Sequence, residues 1–298
     1  MLILISDAFD KTLPEKLKRF GEVTDDKSRV GEADVVLVRA KTKCDREWID
    51  GAYNCKLIIR GGVGIDNIDK EYAESKGIIV TNTPKASGIA VAELTFALML
   101  SSINNICYYH HGMKHKEWYK STKRNELYGK TIGFIGMGNI ARQVAKRCIA
   151  FGMNVVAHDI FVVPTEGVKF VPTVEEAVEN ADIISLHVPA TPDTEGMINA
   201  SLISKMKKAP ILINTCRGKV INAEDVKNAL DEGRLSWYAT DVYPTDDPEK
   251  LFSMDYPIFK SAKTTLTPHV GANTNENMLR IGDEVIATIE KLISEGKI

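Results

Sequence analysis

Three kinds of side chain that could together serve a proton transfer each follow a β-like run in this chain. His269 lies in LTPHVGANT (266–274), between Pro268 and Val270. Arg217 follows the apolar stretch of ILINTCRGKVIN, and Asp241, Asp246 and Asp247 fall in YATDVYPTDDP. An imidazole exchanges protons near neutral pH, a guanidinium fork matches a carboxylate, and a carboxylate can orient an imidazole. A lone loop histidine is ordinarily idle, so the set carries meaning only if other elements bring these groups together beside something they can act on.

The strongest such element is TIGFIGMGNIARQVA (131–145), an apolar strand, then Gly136-x-Gly138-x-x-Ala141, then an amphipathic helix. The first glycine permits a tight turn, the second lets a pyrophosphate approach the backbone, and the small third residue lets helix and strand pack closely. The helix opens at Asn139 and Ile140, and its first N–H groups lack intrahelical partners and so favour phosphate. The next strand, NVVAHD, ends in Asp159, eighteen residues after Ala141. A carboxylate there accepts from ribose hydroxyls and repels a 2′-phosphate, and no arginine follows it. NAD is therefore expected over NADP.

The remaining chain supplies a scaffold. Apolar runs at 2–6, 35–40, 57–62, 78–82, 131–138, 154–159, 182–188, 211–215, 238–243 and 264–269 read as strands. Most are continuously apolar, as in parallel strands covered on both faces by helices. Helical stripes run through Ile140, Val144, Cys148 and Phe151, stopping at Gly152, and through Met278, Ile281, Val285, Ile289 and Leu292. Between about Ala86 and Lys116 the rhythm changes to a long helix and a polar stretch, before Gly129-Lys130 opens a new βα series. Two α/β units are expected, one before about residue 98 and one from about 99 to 267. The 298 residues carry a net charge of −2, which gives no basic field for nucleic acid or anionic lipid. MLILISDAFDK reads as a first strand instead of a signal peptide, and the apolar stretch Ile89 to Leu100 is shorter than the roughly 20 residues of a membrane span. A cytoplasmic protein with reduced thiols is expected, since the five cysteines form no CxxC pair. His110, His111 and His115 share a helix face, but their polar surroundings favour a solvated helix end, and no metal site is expected.

Six motifs in order make the chain resemble the D-isomer-specific 2-hydroxyacid dehydrogenases, and most of all their 3-phosphoglycerate dehydrogenase branch. They are RGGVGIDNID (60–69), TNTPKASGIAVAE (81–93), GKTIGFIGMGNIA (129–141), NTCRGKVIN (214–222), DVYPTD (241–246) and TPHVGANT (267–274). The resemblance implies an α/β protein of two Rossmann-like or flavodoxin-like parallel-sheet domains. An NAD domain, 99–267, is inserted into a split substrate domain, 1–98 plus 268–298, with a cleft between them and a homodimer built on the NAD domains. By the same match Arg217 binds the substrate carboxylate and polarises its 2-oxygen, His269 is the acid/base, and Asp246 stands where the family has a supporting glutamate. Asp247 is the alternative for that role, and the shorter aspartate implies a longer hydrogen bond or an adjusted backbone. Val188, Pro189, Thr215, Asp241, His269 and Gly271 join the glycine loop as cofactor contacts. Arg39 and Arg60 match positions that contact substrate phosphate; Gly61, Gly62 and Gly64 are expected to offer an anion nest of backbone N–H groups, and Gly62, Val63 and Gly64 are expected substrate contacts.

The chemistry agrees: oxidising a 2-hydroxy acid removes a hydroxyl proton as hydride leaves C2, which suits a neutral imidazole. The two arginines favour a phosphorylated acid. Glycerate, glyoxylate and hydroxypyruvate are the alternative substrates, and a non-enzymatic NAD-sensing, corepressor-like module is the alternative class. A formate dehydrogenase relative pairs its histidine with glutamine, against which Asp246 argues. Because little chain follows the last helix, serine feedback through a C-terminal regulatory domain is not expected.

Overall fold

Short runs of β-branched residues, buried on both faces, build two all-parallel sheets in this computed structural model, which describes residues 1–298. The first unit, Met1–Gly88 with Ala272–Ile298, contains β1 (Leu2–Ile5), β2 (Glu22–Thr24), β3 (Val35–Val38), β4 (Leu57–Arg60) and β5 (Ile79–Asn82). Their spatial order is β2-β1-β3-β4-β5. The second unit, Ile89–Gly271, contains β6 (Thr131–Ile135), β7 (Asn154–His158), β8 (Val168–Phe170), β9 (Ile183–Leu186), β10 (Ile211–Asn214), β11 (Trp237–Thr240) and β12 (Thr264–Leu266). Its order is β12-β11-β10-β9-β6-β7-β8. The expected doubly wound α/β architecture is present in both sheets.

Burial explains the sequence pattern. VVLV of β3, IISL of β9 and ILIN of β10 are buried at every position, so a polar alternation has no face to occupy. In the first unit one face of the sheet packs Val36, Ile58 and Ala73, and the other packs Ile3, Leu37 and Ile59 against Leu13, Leu17 and the last helix. That helix, Asn275–Ser294, starts where the Thr274 side chain accepts the Asn277 N–H. Its stripe of Ile281, Val285, Ile289 and Leu292 is buried against this sheet, a placement that periodicity leaves open.

The structure also departs from the pattern. β2 and β8 have no counterpart among the anticipated runs. Each has three residues, sits at a sheet edge and carries a partly exposed sequence. The stretch from Ala86 to Lys116 holds two helices, Gly88–Ile103 and Ile106–Lys114, bent by 62°. Asn105 at the break has φ +54°, a left-handed conformation that asparagine tolerates. No single helix is long and apolar enough to cross a membrane. On the second helix the His111 and His115 rings lie 4.1 Å apart, and His115 Nδ1 is 2.8 Å from the His111 carbonyl.

In open parallel sheets, loops diverge where the strand order reverses, leaving a crevice at the carboxyl ends. The reversals here fall between β1 and β3 and between β6 and β9. The loop bearing Arg39 leaves β3 at the first. The glycine loop and Val188-Pro189 leave β6 and β9 at the second.

Candidate active site

The glycine loop has the shape a dinucleotide needs. Gly136 has φ +87°, and a Cβ there would lie 2.5 Å from the His187 carbonyl oxygen and 3.0 Å from Val188 Cγ1. Any larger residue would push the turn off its neighbour strand. At Gly138 an added Cβ meets nothing within 4 Å, so the space over the helix N-terminus is open. The helix Asn139–Ala150 begins with no side-chain cap, which leaves the Asn139 and Ile140 N–H groups available to an anion. Ala141 is fully buried against the sheet. These observations fit a pyrophosphate lying on the loop.

Asp159 ends β7 and braces that loop. Its carboxylate accepts the Met137 N–H at 2.5 Å through Oδ2 and the Phe161 N–H at 2.8 Å through Oδ1. Each oxygen has a second lone pair left for a ribose hydroxyl. Structural bracing and ribose binding are thus compatible at this residue.

Arg217, Asp246 and His269 are carried by loops at the carboxyl ends of β10, β11 and β12, neighbours in one sheet. His269 Nδ1 lies 2.7 Å from Asp246 Oδ1. With the carboxylate accepting, Nδ1 holds the proton and Nε2 is the nitrogen left to exchange one. The aspartate reaches the ring at an ordinary hydrogen-bond length despite its shorter side chain. Asp247 does something else: its Oδ1 accepts the N–H groups of Glu249 and Lys250 and caps the helix Pro248–Ser253.

His269 itself has φ +53°, a left-handed conformation that costs an L-residue roughly 1–2 kcal/mol unless its surroundings hold it. The buried Asp241 does the holding. Its Oδ1 accepts the Thr267 hydroxyl at 2.6 Å and the Val270 N–H at 2.9 Å, and its Oδ2 accepts the Gly271 N–H at 2.8 Å. The Tyr243 hydroxyl donates to the Thr267 carbonyl at 3.0 Å. Tyr243 and Thr267 stand inside the DVYPTD and TPHVGANT motifs, but nothing in their residue types announces these roles. Thr215 is buried, and its hydroxyl shares a 2.8 Å hydrogen bond with Thr95.

Arg217 is half-buried, with Nη1 donating to the Cys216 carbonyl at 2.7 Å. Next to it, a Cβ on Gly218 would lie 2.1 Å from the Tyr243 carbonyl carbon. Only glycine lets the Arg217 loop close on the loop that carries Asp246. Burial pushes the Cys216 thiol up to about 11, so it stays protonated near neutral pH. His187 bonds to Ser185 Oγ at 2.8 Å, and burial pushes its pKa down to about 3, so its ring remains neutral near pH 7.

The other predicted residues belong to the first unit. Arg39 follows β3 and Arg60 ends β4. Gly62 has φ +141°, and a Cβ there would lie 1.7 Å from Arg60 Nη1, so the glycine makes room for the guanidinium. One expectation needs correction. The Gly61 N–H donates to the Val38 carbonyl at 2.8 Å, and the Gly62 N–H donates to Thr83 Oγ1 at 2.7 Å. Those two amides are used by the fold, so an anion nest in this loop would have to draw on Val63 and Gly64. The Asn82 amide donates to the Val63 carbonyl and holds the loop from β5.

A doubly wound sheet with a glycine-loop dinucleotide cradle and a carboxylate-oriented histidine defines the class of nicotinamide-binding α/β proteins. The chain belongs to the D-isomer specific 2-hydroxyacid dehydrogenase family: residues 96–271 match the NAD binding domain of that family. It is 40% identical over 305 residues to D-3-phosphoglycerate dehydrogenase of Methanocaldococcus jannaschii, covering 98% of this chain and 57% of that one. It is 39% identical over 269 residues to hydroxypyruvate reductase of Thermotoga maritima, covering 88% and 85%. Among solved structures it resembles D-lactate dehydrogenase from Aquifex aeolicus, complexed with NAD and lactic acid. That match has a TM-score of 0.85 and 29% identity over 100% of this chain and 96% of the other. The chain spans little more than half the length of the M. jannaschii relative.

Proposed function

We propose that this chain interconverts a small D-2-hydroxy acid and its 2-keto acid with NAD, and that D-3-phosphoglycerate is the favoured acid. The observation that carries the proposal is the 2.7 Å His269–Asp246 pair on the strand ends beside the Arg217 loop. Bound NAD would supply the hydride acceptor, held by the glycine loop, the Asn139 and Ile140 N–H groups and Asp159. In the oxidative direction His269 Nε2 takes the hydroxyl proton, and Asp246 steadies the imidazolium that forms. Arg217 pairs with the acid's carboxylate and draws electron density from the 2-oxygen. In reduction the imidazolium returns the proton. Arg39, Arg60 and the loop amides of Val63 and Gly64 recognise the phosphate. The similarity to phosphoglycerate dehydrogenases along nearly the whole of this chain supports this choice of acid.

The deciding assay is NADH formation from 3-phosphoglycerate and NAD, run beside NADH consumption with hydroxypyruvate, glyoxylate and pyruvate. Turnover of hydroxypyruvate or glyoxylate without 3-phosphoglycerate would favour the second reading, a hydroxyacid reductase like the Thermotoga maritima relative, which matches over 85% of its length. NADH binding with no turnover of any acid would leave a sensing module. A homodimer belongs to the same proposal. Ile106, Met113 and Trp118 are exposed on or just after the helix Ile106–Lys114 and offer an apolar face; light scattering reads the mass. A cytoplasmic setting belongs to it too, supported by five free thiols and by chemistry that draws on NAD; fractionation of the native host tests it.

Two predictions follow from the site. NADPH should give a kcat/KM at least about 100-fold below NADH, because its 2′-phosphate meets the Asp159 carboxylate. Asp159→Ser should narrow that gap, and equal use of both cofactors by the parent chain would defeat the assignment. Asp246→Asn should lower kcat about 10- to 100-fold by releasing the imidazole tautomer. Asp247→Ala should leave kcat within about twofold and cost about 1 kcal/mol of stability through the lost cap. The reverse pattern in steady-state kinetics and thermal melts would move the supporting role to Asp247.

A further inference from the structure

The first unit holds a buried carboxylate that the proposed reaction leaves unused. Asp7 lies two residues past β1, at the reversal of strand order between β1 and β3. Its side chain is only 2% exposed. Its Oδ2 accepts the Arg39 N–H at 2.6 Å and the Thr42 N–H at 3.1 Å, and its Oδ1 accepts the Thr42 hydroxyl at 2.8 Å. The carbonyls of the same two residues are held as well: Asn67 Nδ2 donates to Arg39 O at 2.7 Å and to Thr42 O at 2.6 Å. Both ends of the Arg39–Thr42 loop are therefore fixed through N–H and C=O alike.

Asn67 follows Gly62–Gly64 in the loop after β4, so the clamp joins the Arg39 loop to the glycine loop after β4. The Cys44 N–H donates to the Asn67 carbonyl at 2.8 Å and the Asp69 N–H to the Cys44 carbonyl at 2.9 Å, a short parallel bridge between them. The Arg39 guanidinium touches neutral groups, the Ala8 carbonyl at 3.5 Å and Met278 Sδ at 3.0 Å. The Asp7 carboxylate also draws it, so Asp7 acts on Arg39 both through the backbone anchor and through charge.

We propose that Asp7 is a positioning residue that fixes the Arg39 loop and so sets the preference for phosphorylated over unphosphorylated acids. The proposal rests on the reading above in which Arg39 binds the substrate phosphate. A carboxylate suits the position because it only accepts, and three donors converge on it. An amide of the same size could keep both N–H groups on its oxygen and turn its N–H₂ to the Thr42 hydroxyl, which can accept, so asparagine is the conservative replacement here and alanine is the one that removes the anchor. Burial by itself would raise the Asp7 carboxyl, but the Arg39 and Thr42 N–H groups, the Thr42 hydroxyl and Lys27 hold it below the usual carboxylate range.

The test compares Asp7→Ala, Arg39→Gln and the double variant of the full chain, reading kcat and KM with NADH for 3-phosphohydroxypyruvate and for hydroxypyruvate. Asp7→Ala should raise the KM for the phosphorylated acid at least about tenfold, with its kcat and the hydroxypyruvate KM within about twofold of the parent, and Asp7→Asn should recover most of that loss. The double variant should be no worse than Arg39→Gln, since both act through one group. Equal loss with both acids, or effects that multiply in the double variant, would overturn the proposal. If Arg39→Gln destroys discrimination and Asp7→Ala preserves it, only the Asp7 proposal falls. If Arg39→Gln itself preserves discrimination, the phosphate reading fails and takes the proposal with it. Should Asp7→Ala not fold, Thr42→Val removes one donor and should move the same KM ratio in the same direction, with Thr42→Ser restoring it. An unchanged ratio in Thr42→Val overturns the proposal equally.

Discussion

His269→Gln is expected to lower kcat by about 10²–10⁴-fold while leaving NADH affinity within about threefold of the parent. The loss follows from geometry. Asp246 engages Nδ1 at 2.7 Å, so Nε2 is the one ring nitrogen able to exchange the hydroxyl proton. A glutamine amide does not take up a proton near neutral pH. The control concerns the backbone, because position 269 has φ +53°. Glutamine resists the left-handed region, whereas asparagine visits it readily. His269→Asn should therefore show the same kinetic loss with the loop undisturbed, its thermal midpoint staying closer to the parent than that of His269→Gln. Single-turnover reduction of hydroxypyruvate and NADH fluorescence titration measure the two halves of the expectation. Turnover near the parent rate in either variant would remove the imidazole from the mechanism.

Arg217→Gln should lower kcat/KM for the 2-keto acid by about 10²–10³-fold, and Arg217→Lys should recover no more than about tenfold of that. The guanidinium is asked to do two things at once, hold the carboxylate and polarise the 2-oxygen. Two parallel N–H groups in a plane accomplish this, and one ammonium does not. Because the carboxylate is bound in ground and transition states while the oxygen gains charge only in the latter, KM should rise and kcat should fall together. The lysine variant separates charge from shape: the charge persists and the fork is lost. The close approach of Gly218 to Tyr243 holds the backbone in place whichever side chain stands at 217, and substitution gives up only the Nη1 bond to the Cys216 carbonyl at 2.7 Å. Substitution at the side chain should therefore leave stability within about 1 kcal/mol. A lysine variant within threefold of the parent would show that bidentate binding plays no part.

Much of this protein was legible in its sequence because the signals were local and redundant. Strands such as β3, β9 and β10 are buried on both faces, and a continuous apolar run is what such burial demands. The glycine loop was readable because Gly136 meets a backbone oxygen and Gly138 an open space, two constraints that tolerate few other residues. The unanticipated strands β2 and β8 are the reverse case. At an edge, three residues pair with one neighbour and need no apolar run to do it. The helix break at Asn105 carried only a weak signal, since a left-handed asparagine is one option among several for an Asn-Asn pair.

Chain order and residue type by themselves determined the class of fold, the cofactor cradle and the set of groups from which a proton-transfer site could be made. They favoured Asp246 over Asp247 only through the alignment of one motif, since adjacent carboxylates differ only in where the backbone sends them. The tertiary structure separated the two, because the helix Pro248–Ser253 claims Asp247 as its cap and the turn before it delivers Asp246 to His269. It also gave Asp7 and Asp241 their parts, each gathering three donors from a loop that follows a neighbouring strand in its own sheet. Such hydrogen bonds join residues about 30 positions apart, and only the stacking of parallel strands makes those residues neighbours.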